Sequence, residues 1–393
     1  MKRNITLKLA ASFVGIMLTA SGCIHHGSTT QALEVRTNSP SIFGTQPAGE
    51  PEGIANIASK TTQLQDLRPG APELLLRGVH AKSHGCVEAE FRVNPDLDEQ
   101  YRVGLFRNAG ERFDAQIRFS NAAVLITDDL SGGANGSSGM AIKVLDVDGP
   151  MLDSDQGDDN QDFLMVNTPE FAFQNVRAYG FLTDTLLTTP AGADPRPLLV
   201  LADPRATTDL EGFSAADSAA VRQSLGVIQG KIQRQPVRNP AQVQYFGASP
   251  FLFGDGQAMK FSAAPCTVLP QAAFDGETPA PNYLRDALRQ TMQDEVAICY
   301  NFQIQVRTLG EISIEEMENA ATTWPDEEAN YVDVARITIP SQQDIDSEQA
   351  LESCEQLEFT PWHSLQAHQP IGGINRLRRD VYYNSALHRK DRD

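Results

Sequence analysis

Positive charge is scarce in this chain. Its 393 residues carry 32 Lys and Arg against 51 Asp and Glu, which gives a formal net charge of −19. A polyanion is repelled by the phosphates of nucleic acids and by anionic lipid surfaces. We therefore expect no nucleic-acid partner, and any attachment to a membrane has to come from a covalent anchor.

Cysteine is also sparse, with five in the chain, and no two cysteines have the CxxC spacing. This spacing argues against a structural zinc site and against a thioredoxin-type dithiol. Beyond residue 23, the remaining cysteines are Cys86, Cys266, Cys299 and Cys354. They can form two disulfides in three connectivities, and buried free thiols are the alternative.

The main apolar run lies at the N-terminus, where the short basic region 1–4 precedes the apolar residues 5–20. This order predicts that residues 1–22 form a signal peptide. The run contains Lys8 and is short for crossing a bilayer, so a retained membrane helix is the weaker alternative.

The residues that end this segment, Ala-Ser-Gly-Cys at 20–23, resemble the bacterial lipoprotein box. We expect a lipid on Cys23, with cleavage without lipidation as the alternative. Asp is absent from position 24, which resembles the pattern sorted to the outer membrane. The protein is thus predicted to be exported to the periplasm and anchored to the outer membrane. Residues 23–53 are predicted to be the lipid anchor and a flexible tether, and 54–393 the folded domain.

Runs of alternating polarity predict strands at 87–93, 115–120, 302–308 and 331–339. Helical spacing of apolar residues predicts helices at 170–187, 282–299 and 374–389. The class is therefore α+β.

Two further segments are interpreted as loops. The acidic segment 153–162 ends at Asp162 and lacks the glycine position and the glutamate of a calcium-binding hand, so we expect a solvated loop. The glycine-rich segment 132–139 fits neither a phosphate-binding loop nor a hydrolase elbow, so we expect a flexible turn.

Residues whose side chains could bind a ligand or take part in catalysis form two groups in the sequence, and either group could be a functional site. The first group is Arg77, His80, Lys82 and His84. The second is Trp362, His363, His368 and the segment 376–383.

Six sequence blocks resemble catalases, and they occur in the catalase order. Arg77-Gly-Val-His80-Ala-Lys is similar to the R-x-x-H-A-K segment, and Arg118-Phe-Ser120 to the R-F-S strand that follows it. Three further blocks are also similar. Residues 139–143 match the pattern G-x-A-[VI]-K, and the stretch that begins at Asn167 matches N-x-P-x-F. The third block is 245–262. The last block has three parts, 359–363, 368–372 and 375–382, and is similar to the C-terminal helix of small catalase-related peroxidases. The resemblance spans roughly residues 54–390 and identifies a catalase-like heme peroxidase.

The resemblance implies a catalase-like antiparallel β-barrel around heme b with flanking helices. It implies that His80 is the acid-base residue, that Ser120 orients it and that Asn167 donates a hydrogen bond to the peroxide. Arg118 and Ser120 would share one face of their strand.

The same resemblance implies that Arg77 and Arg118 neutralise the heme propionates. Tyr382 would be the axial ligand of the heme iron. Arg378, four residues before Tyr382 on a helix, would stabilise its phenolate. Arg379 and Tyr383 have the same spacing, which leaves a one-residue alternative.

The implied activity is that of a heme-dependent peroxidase, which reduces hydrogen peroxide or an organic hydroperoxide and oxidises a second small molecule. A catalase that releases dioxygen and a non-catalytic heme-binding lipoprotein are the alternatives. The expected partners are therefore a small hydroperoxide and an electron donor, and a homo-oligomer is left open.

Overall fold

The computed structural model describes residues 46–67, 76–122, 126, 128–130, 138–152, 159–188, 209–228, 230, 237–269, 279–294 and 297–390. All of them lie in one compact unit. The predicted signal segment, Cys23 and most of the predicted tether lie outside the described residues.

Eight antiparallel strands close into a barrel in chain order, and the last strand pairs with the first. The strands are β1 Ser83–Val93, β2 Arg112–Asn121, β3 Ser138–Val144, β4 Gln161–Val166, β5 Tyr245–Leu252, β6 Gln257–Pro265, β7 Ile298–Thr308 and β8 Val332–Ile339. The four strands expected from alternation are β1, β2, β7 and β8. The predicted α+β class with an antiparallel barrel and flanking helices is confirmed.

The described helices are α1 Glu50–Asp66, α2 Val176–Thr188, α3 Ala215–Val227, α4 Tyr283–Gln293, α5 Ile314–Glu318, α6 Glu348–Gln356 and α7 Gly373–Lys390. The C-terminal prediction, 374–389, is confirmed to within one residue at each end. The prediction for 282–299 is too long, because α4 ends at Gln293 and β7 begins at Ile298. The prediction for 170–187 starts too early, since α2 begins at Val176.

Aromatic rings fill the interior of the barrel. Phe163 lies between Phe302 and Phe261, with ring centroids 4.7 and 5.0 Å away, and Phe91 lies 5.3 Å from Phe302. All four side chains are fully buried. Tilted and edge-on contacts of this kind stabilise a core beyond the area they remove from water. The rings therefore leave the interior filled rather than open as a channel.

Because side chains alternate along a strand, a filled interior sends every second residue of β2 outward. Ile117 and Phe119 belong to the barrel core, so Arg118 and Ser120 point to the outer face. The expectation that Arg118 and Ser120 share one face is confirmed.

Helices α1, α2, α3 and α7 form a second apolar cluster. Helix α1 begins at Glu50, four residues before the predicted start of the domain at 54, with Gly49 at its N-cap in the left-handed region and proline in its first turn. Glu50 is buried and pairs with Arg376 of α7, and Arg376 also pairs with Glu318. This ion-pair network ties the start of α1 to α7. No helix in the described part of the chain is both long and apolar enough to cross a membrane.

The interpretation of Asp162 as part of a solvated loop is wrong. Asp162 lies in β4, is fully buried and pairs with Lys143, its register partner on β3. It also contacts Nδ1 of His363 at 3.1 Å. A buried carboxylate is tolerated when such partners surround it. Residues 153–158 of the acidic segment, and 132–137 of the glycine-rich one, lie outside the described residues, whereas Gly139 belongs to β3.

Candidate active site

His80 lies just before β1, and β2 holds both its main chain and its side chain. The imidazole Nδ1 is 3.1 Å from the hydroxyl of Ser120, and the His80 carbonyl accepts a hydrogen bond from Arg118 at 3.0 Å. The main chain of His80 has φ +56°, in the left-handed region that residues with a side chain rarely adopt. Such strain persists only where surrounding contacts determine the conformation, and it is common at functional sites.

Gly139 of β3 provides the space in which the imidazole lies. It is the register partner of Ser120, and a Cβ placed on it would come within 2.4 Å of His80 Cε1 and Nδ1. No side chain fits there while His80 keeps its position. The glycine in the sequence block 139–143 is therefore explained by a close approach of the ring.

The site keeps His80 neutral. Burial lowers the pKa of His80 to about 3, and the positive charges of Arg118, Arg378 and Arg77 lower it in the same direction. A neutral imidazole has one ring nitrogen with a free lone pair, which can accept a proton.

Asn167 follows β4 directly and is bonded to the start of β3. Its side-chain carbonyl accepts a hydrogen bond from the main-chain NH of Ser138 at 3.0 Å, and its own NH donates to the Ser138 carbonyl at 3.2 Å. Ser138 precedes Gly139, on which the His80 ring packs. The structure therefore brings Asn167 next to the start of β3, the strand segment on which the His80 ring packs.

The two arginines predicted to bind propionates converge on a carboxylate of the chain itself. Arg77 contacts Glu355 at 3.0 Å and Arg118 contacts it at 2.8 Å. Arg389 of α7 donates to the main-chain carbonyl of Glu355 at 2.7 Å and lies 3.8 Å from its carboxylate. We call Arg77, Arg118 and Arg389 the arginine cluster.

The cluster remains electrostatically strained although Glu355 is present. Burial lowers the pKa of Arg77, and the charge of Arg118 lowers it further; burial and Arg118 also lower the pKa of Arg389. Burial alone would raise the pKa of the Glu355 carboxyl, but Arg118 and Arg77 together hold it below its ordinary value. The carboxyl is therefore ionised at neutral pH, and the cluster favours negative charge.

Tyr382 and Arg378 lie one turn apart on α7, with the guanidinium carbon 5.5 Å from the centre of the phenol ring. Tyr382 is half-buried against the helical cluster, whereas Tyr383 is 45% exposed. Arg379 lies over the ring of Trp362 at 4.8 Å. Of the two spacings open in the sequence, the Arg378–Tyr382 pair is therefore the one with its ring packed against the fold.

The charge of Arg378 acts both on His80 and on a tyrosine near Tyr382. Its charge lowers the pKa of His80, and it also acts on Tyr179, the neighbour of Tyr382 on α2. Its buried Nε has no hydrogen-bond partner, and neither has the Nε of Arg118. Buried donors of this kind normally have a partner.

These features fit an anionic cofactor such as heme b. The arginine cluster would hold its propionates, the Tyr382 phenolate would be the iron ligand, and His80 would lie on the peroxide side. Groups of three or more His, Cys, Asp or Glu able to hold a metal ion are absent from the described residues. A tyrosinate ligand needs no such group.

The remaining candidate histidines each have their own buried partners. His84 contacts Asn121 at 2.9 Å, and His363 contacts Asp162. His368 accepts a hydrogen bond from the NH of Leu105 at 3.0 Å. These histidines have structural partners, so neither of the two sequence groups forms a site as a whole.

Sequence reasoning missed Glu355, Arg389 and the packing role of Gly139. Arg389 follows Tyr382 by seven residues, which places both on one face of a helix, so this spacing could have identified it. Glu355 follows Cys354, and its position depends on a disulfide pairing that the sequence left open. The disulfides are Cys86–Cys354 and Cys266–Cys299.

The chain matches no protein-family model, and no curated protein is similar to it in sequence. Its fold is that of catalases. It resembles a fungal catalase with a TM-score of 0.60 and 15% identity, covering 80% of this chain and 59% of that one. It resembles catalase A from Saccharomyces cerevisiae with a TM-score of 0.53 and 16% identity, covering 80% and 60%. A bacterial catalase gives a TM-score of 0.60 and 15% identity, covering 90% and 64%. The chain thus spans about three-fifths of the length of these catalases.

Proposed function

We propose that the protein is a heme-dependent peroxidase that reduces hydrogen peroxide or an organic hydroperoxide and oxidises a second small molecule. The observation that carries the proposal is the strained main chain of His80, together with the contacts to Ser120 and Arg118 that fix this residue on a barrel with the catalase fold. A neutral imidazole is the form needed to accept a proton from a peroxide.

In this proposal His80 takes the proton of one peroxide oxygen and returns it to the other, which leaves as water or an alcohol. Ser120 fixes the orientation of the imidazole through Nδ1, and Asn167 donates a hydrogen bond to the peroxide. Heme b, when bound, would supply the two electrons that cleave the oxygen–oxygen bond, and the second substrate would return two electrons with two protons, so that the remaining oxygen also leaves as water. Tyr382 would bind its iron, with the nearby positive charge of Arg378 stabilising the phenolate.

The test of cofactor binding is the visible absorption spectrum of the heme-reconstituted protein beside its Tyr382→Phe variant. We expect stoichiometric heme and a tyrosinate-type spectrum that Tyr382→Phe loses. Tyr383→Phe is the matched control, because its exposed ring lies one residue away. Absence of stoichiometric heme in the wild-type protein would refute the proposal.

The test of catalysis is peroxide consumption with and without an electron donor. Donor-dependent loss supports a peroxidase. Oxygen release without a donor would support a catalase, and bound heme with neither activity would leave a heme-binding lipoprotein. His80→Ala is expected to abolish turnover, and full turnover in that variant would refute the assigned role.

We also propose that the protein is exported and attached to the outer membrane by a lipid on Cys23. The two disulfides support this location, because disulfides persist in oxidising compartments such as the periplasm. Membrane fractionation of the wild-type protein and of Cys23→Ala tests it. The variant is expected in the soluble periplasmic fraction.

A further inference from the structure

The side chain of Glu355 occupies the arginine cluster. Its two carboxylate oxygens are divided between Arg77, at 3.0 Å, and Arg118, at 2.8 Å, with Arg389 3.8 Å away. All four side chains are at most 16% exposed. Charge-assisted bonds of this length, removed from water, are among the stronger polar contacts in proteins.

A covalent bond holds Glu355 in this position. Cys86 of β1 is the register partner of Arg118 on β2, and Cys86 is bonded to Cys354. Glu355 is the next residue, so the disulfide delivers its carboxylate beside Arg118. Arg77 also donates hydrogen bonds to the carbonyls of Cys354 and Leu357, which fixes the end of α6.

Glu355 takes up guanidinium donors of both Arg77 and Arg118, so a second carboxylate placed between these two arginines would meet the Glu355 carboxylate there. The proposed function requires Arg77 and Arg118 to neutralise the carboxylates of the cofactor, and Glu355 already does so from within the chain. The cluster is therefore a carboxylate-binding site with an internal occupant.

We propose that Glu355 is an internal competitor for the arginine cluster, displaced when a carboxylate of the cofactor binds. The proposal rests on the proposed function in so far as the incoming carboxylate belongs to heme. On binding, the Glu355 side chain leaves the guanidinium groups while the disulfide keeps its main chain in place. Glu355 thus lowers the affinity for the cofactor, and in the cofactor-free protein it keeps the guanidinium groups of the cluster paired with a carboxylate.

The first experiment titrates the cofactor-free protein with hemin and with hemin dimethyl ester, whose carboxylates are masked. Dissociation constants are measured by absorbance, without any assay of turnover. We expect Glu355→Gln to bind hemin about tenfold more tightly than the wild-type protein, because one charge-assisted contact no longer competes. Binding of the ester should be unchanged.

The matched control is Glu352→Gln. Glu352 lies three residues before Glu355 on α6 and is exposed. We expect unchanged hemin affinity in this variant. Weaker hemin binding by Glu355→Gln, or an equal gain for hemin and its ester, would overturn the proposal.

A second experiment needs no heme. Glu355→Ala leaves the arginine cluster without its carboxylate, so acetate should raise the melting temperature of this variant above its value in chloride at equal ionic strength. The wild-type protein should respond equally to both anions. No acetate effect in folded Glu355→Ala would overturn the proposal. An acetate effect in a protein that binds no hemin would support the exchangeable carboxylate site while refuting the proposed function.

Discussion

Replacing Gly139 by alanine should displace His80 while both residues that hold it, Ser120 and Arg118, keep their identity. The new Cβ would lie 2.4 Å from two atoms of the imidazole, whereas ordinary contacts begin near 3.4 Å. The ring therefore has to move by about 1 Å. A displacement of this size in a catalytic group can reduce turnover about 100-fold. We expect a loss of that order in the peroxide turnover of heme-loaded Gly139→Ala.

The displacement cannot easily be absorbed by the main chain. His80 already lies at φ +56°, and its carbonyl is bonded to Arg118. The new Cβ would also approach the Ser120 hydroxyl to 3.1 Å, which weakens its contact with Nδ1. Overpacking of this kind costs about 1–3 kcal/mol of stability. A urea-unfolding curve checks that cost.

The assay compares peroxide consumption by Gly139→Ala, wild type and Gly310→Ala at equal heme loading. Gly310 lies in open space, so its variant carries the same added methyl group without a contact. Full turnover in Gly139→Ala, with unchanged heme content, would show that the position of His80 does not control the reaction. The acid-base role of His80 would then be wrong.

Three further changes test the fold. Replacing both Cys86 and Cys354 by serine should lower the free energy of unfolding by about 5.6 kcal/mol at most, by the loop-entropy relation. Loss of the second disulfide should cost less, because the separations are 268 residues for the first disulfide and 33 for the second. Arg376→Met should cost about 3–5 kcal/mol by leaving buried Glu50 unpaired, and adding Glu50→Gln should restore part of it in thermal melts. Burial lowers the pKa of His368 to about 4, below its value in the unfolded chain, so the free energy of unfolding should fall as pH drops from about 6.5 to 4. In denaturant titrations, His368→Gln should reduce the slope of this free energy against pH by about 1.4 kcal/mol per pH unit.

The sign of the His368 effect follows from proton uptake. Between about pH 6.5 and 4 the unfolded chain binds a proton at His368 that the folded chain does not, so acid favours unfolding. The folded protein uses Nε2 of this ring as an acceptor for the Leu105 NH. Glutamine keeps an acceptor but cannot titrate. An unchanged pH slope in His368→Gln would contradict this explanation.

Alternation of polarity was sufficient to predict the strands that have one face in the barrel core, such as β1 and β2. Helical spacing failed at the end of α4, because Val296, Ala297 and Ile298 extend the apolar pattern from Gln293 into the buried start of β7. A short apolar run does not distinguish a buried strand from a helix. The resemblance to catalases, rather than periodicity, provided the barrel itself.

The partners of buried polar side chains were the feature of the structure that the sequence predicted least well. Asp162 lies in an acidic segment and looks solvated until the β3–β4 register places Lys143 opposite it. Glu355 is one of many acidic residues until the disulfide of Cys354 is known. In both cases the partner comes from a distant part of the chain, and local pattern carries no signal for it.

The barrel wall and the disulfide together explain how a polar site can exist beside an apolar core. Alternation along β2 sends Arg118 outward while its neighbours pack inside. A buried guanidinium of this kind requires a carboxylate, because its desolvation is otherwise uncompensated. Glu355 meets that requirement, and a ligand that displaces it has to bring an anionic group of its own if Arg118 is to stay paired. Under the proposal that Glu355 competes for the arginine cluster, the residue that stabilises Arg118 is therefore also the one that selects for an anionic ligand.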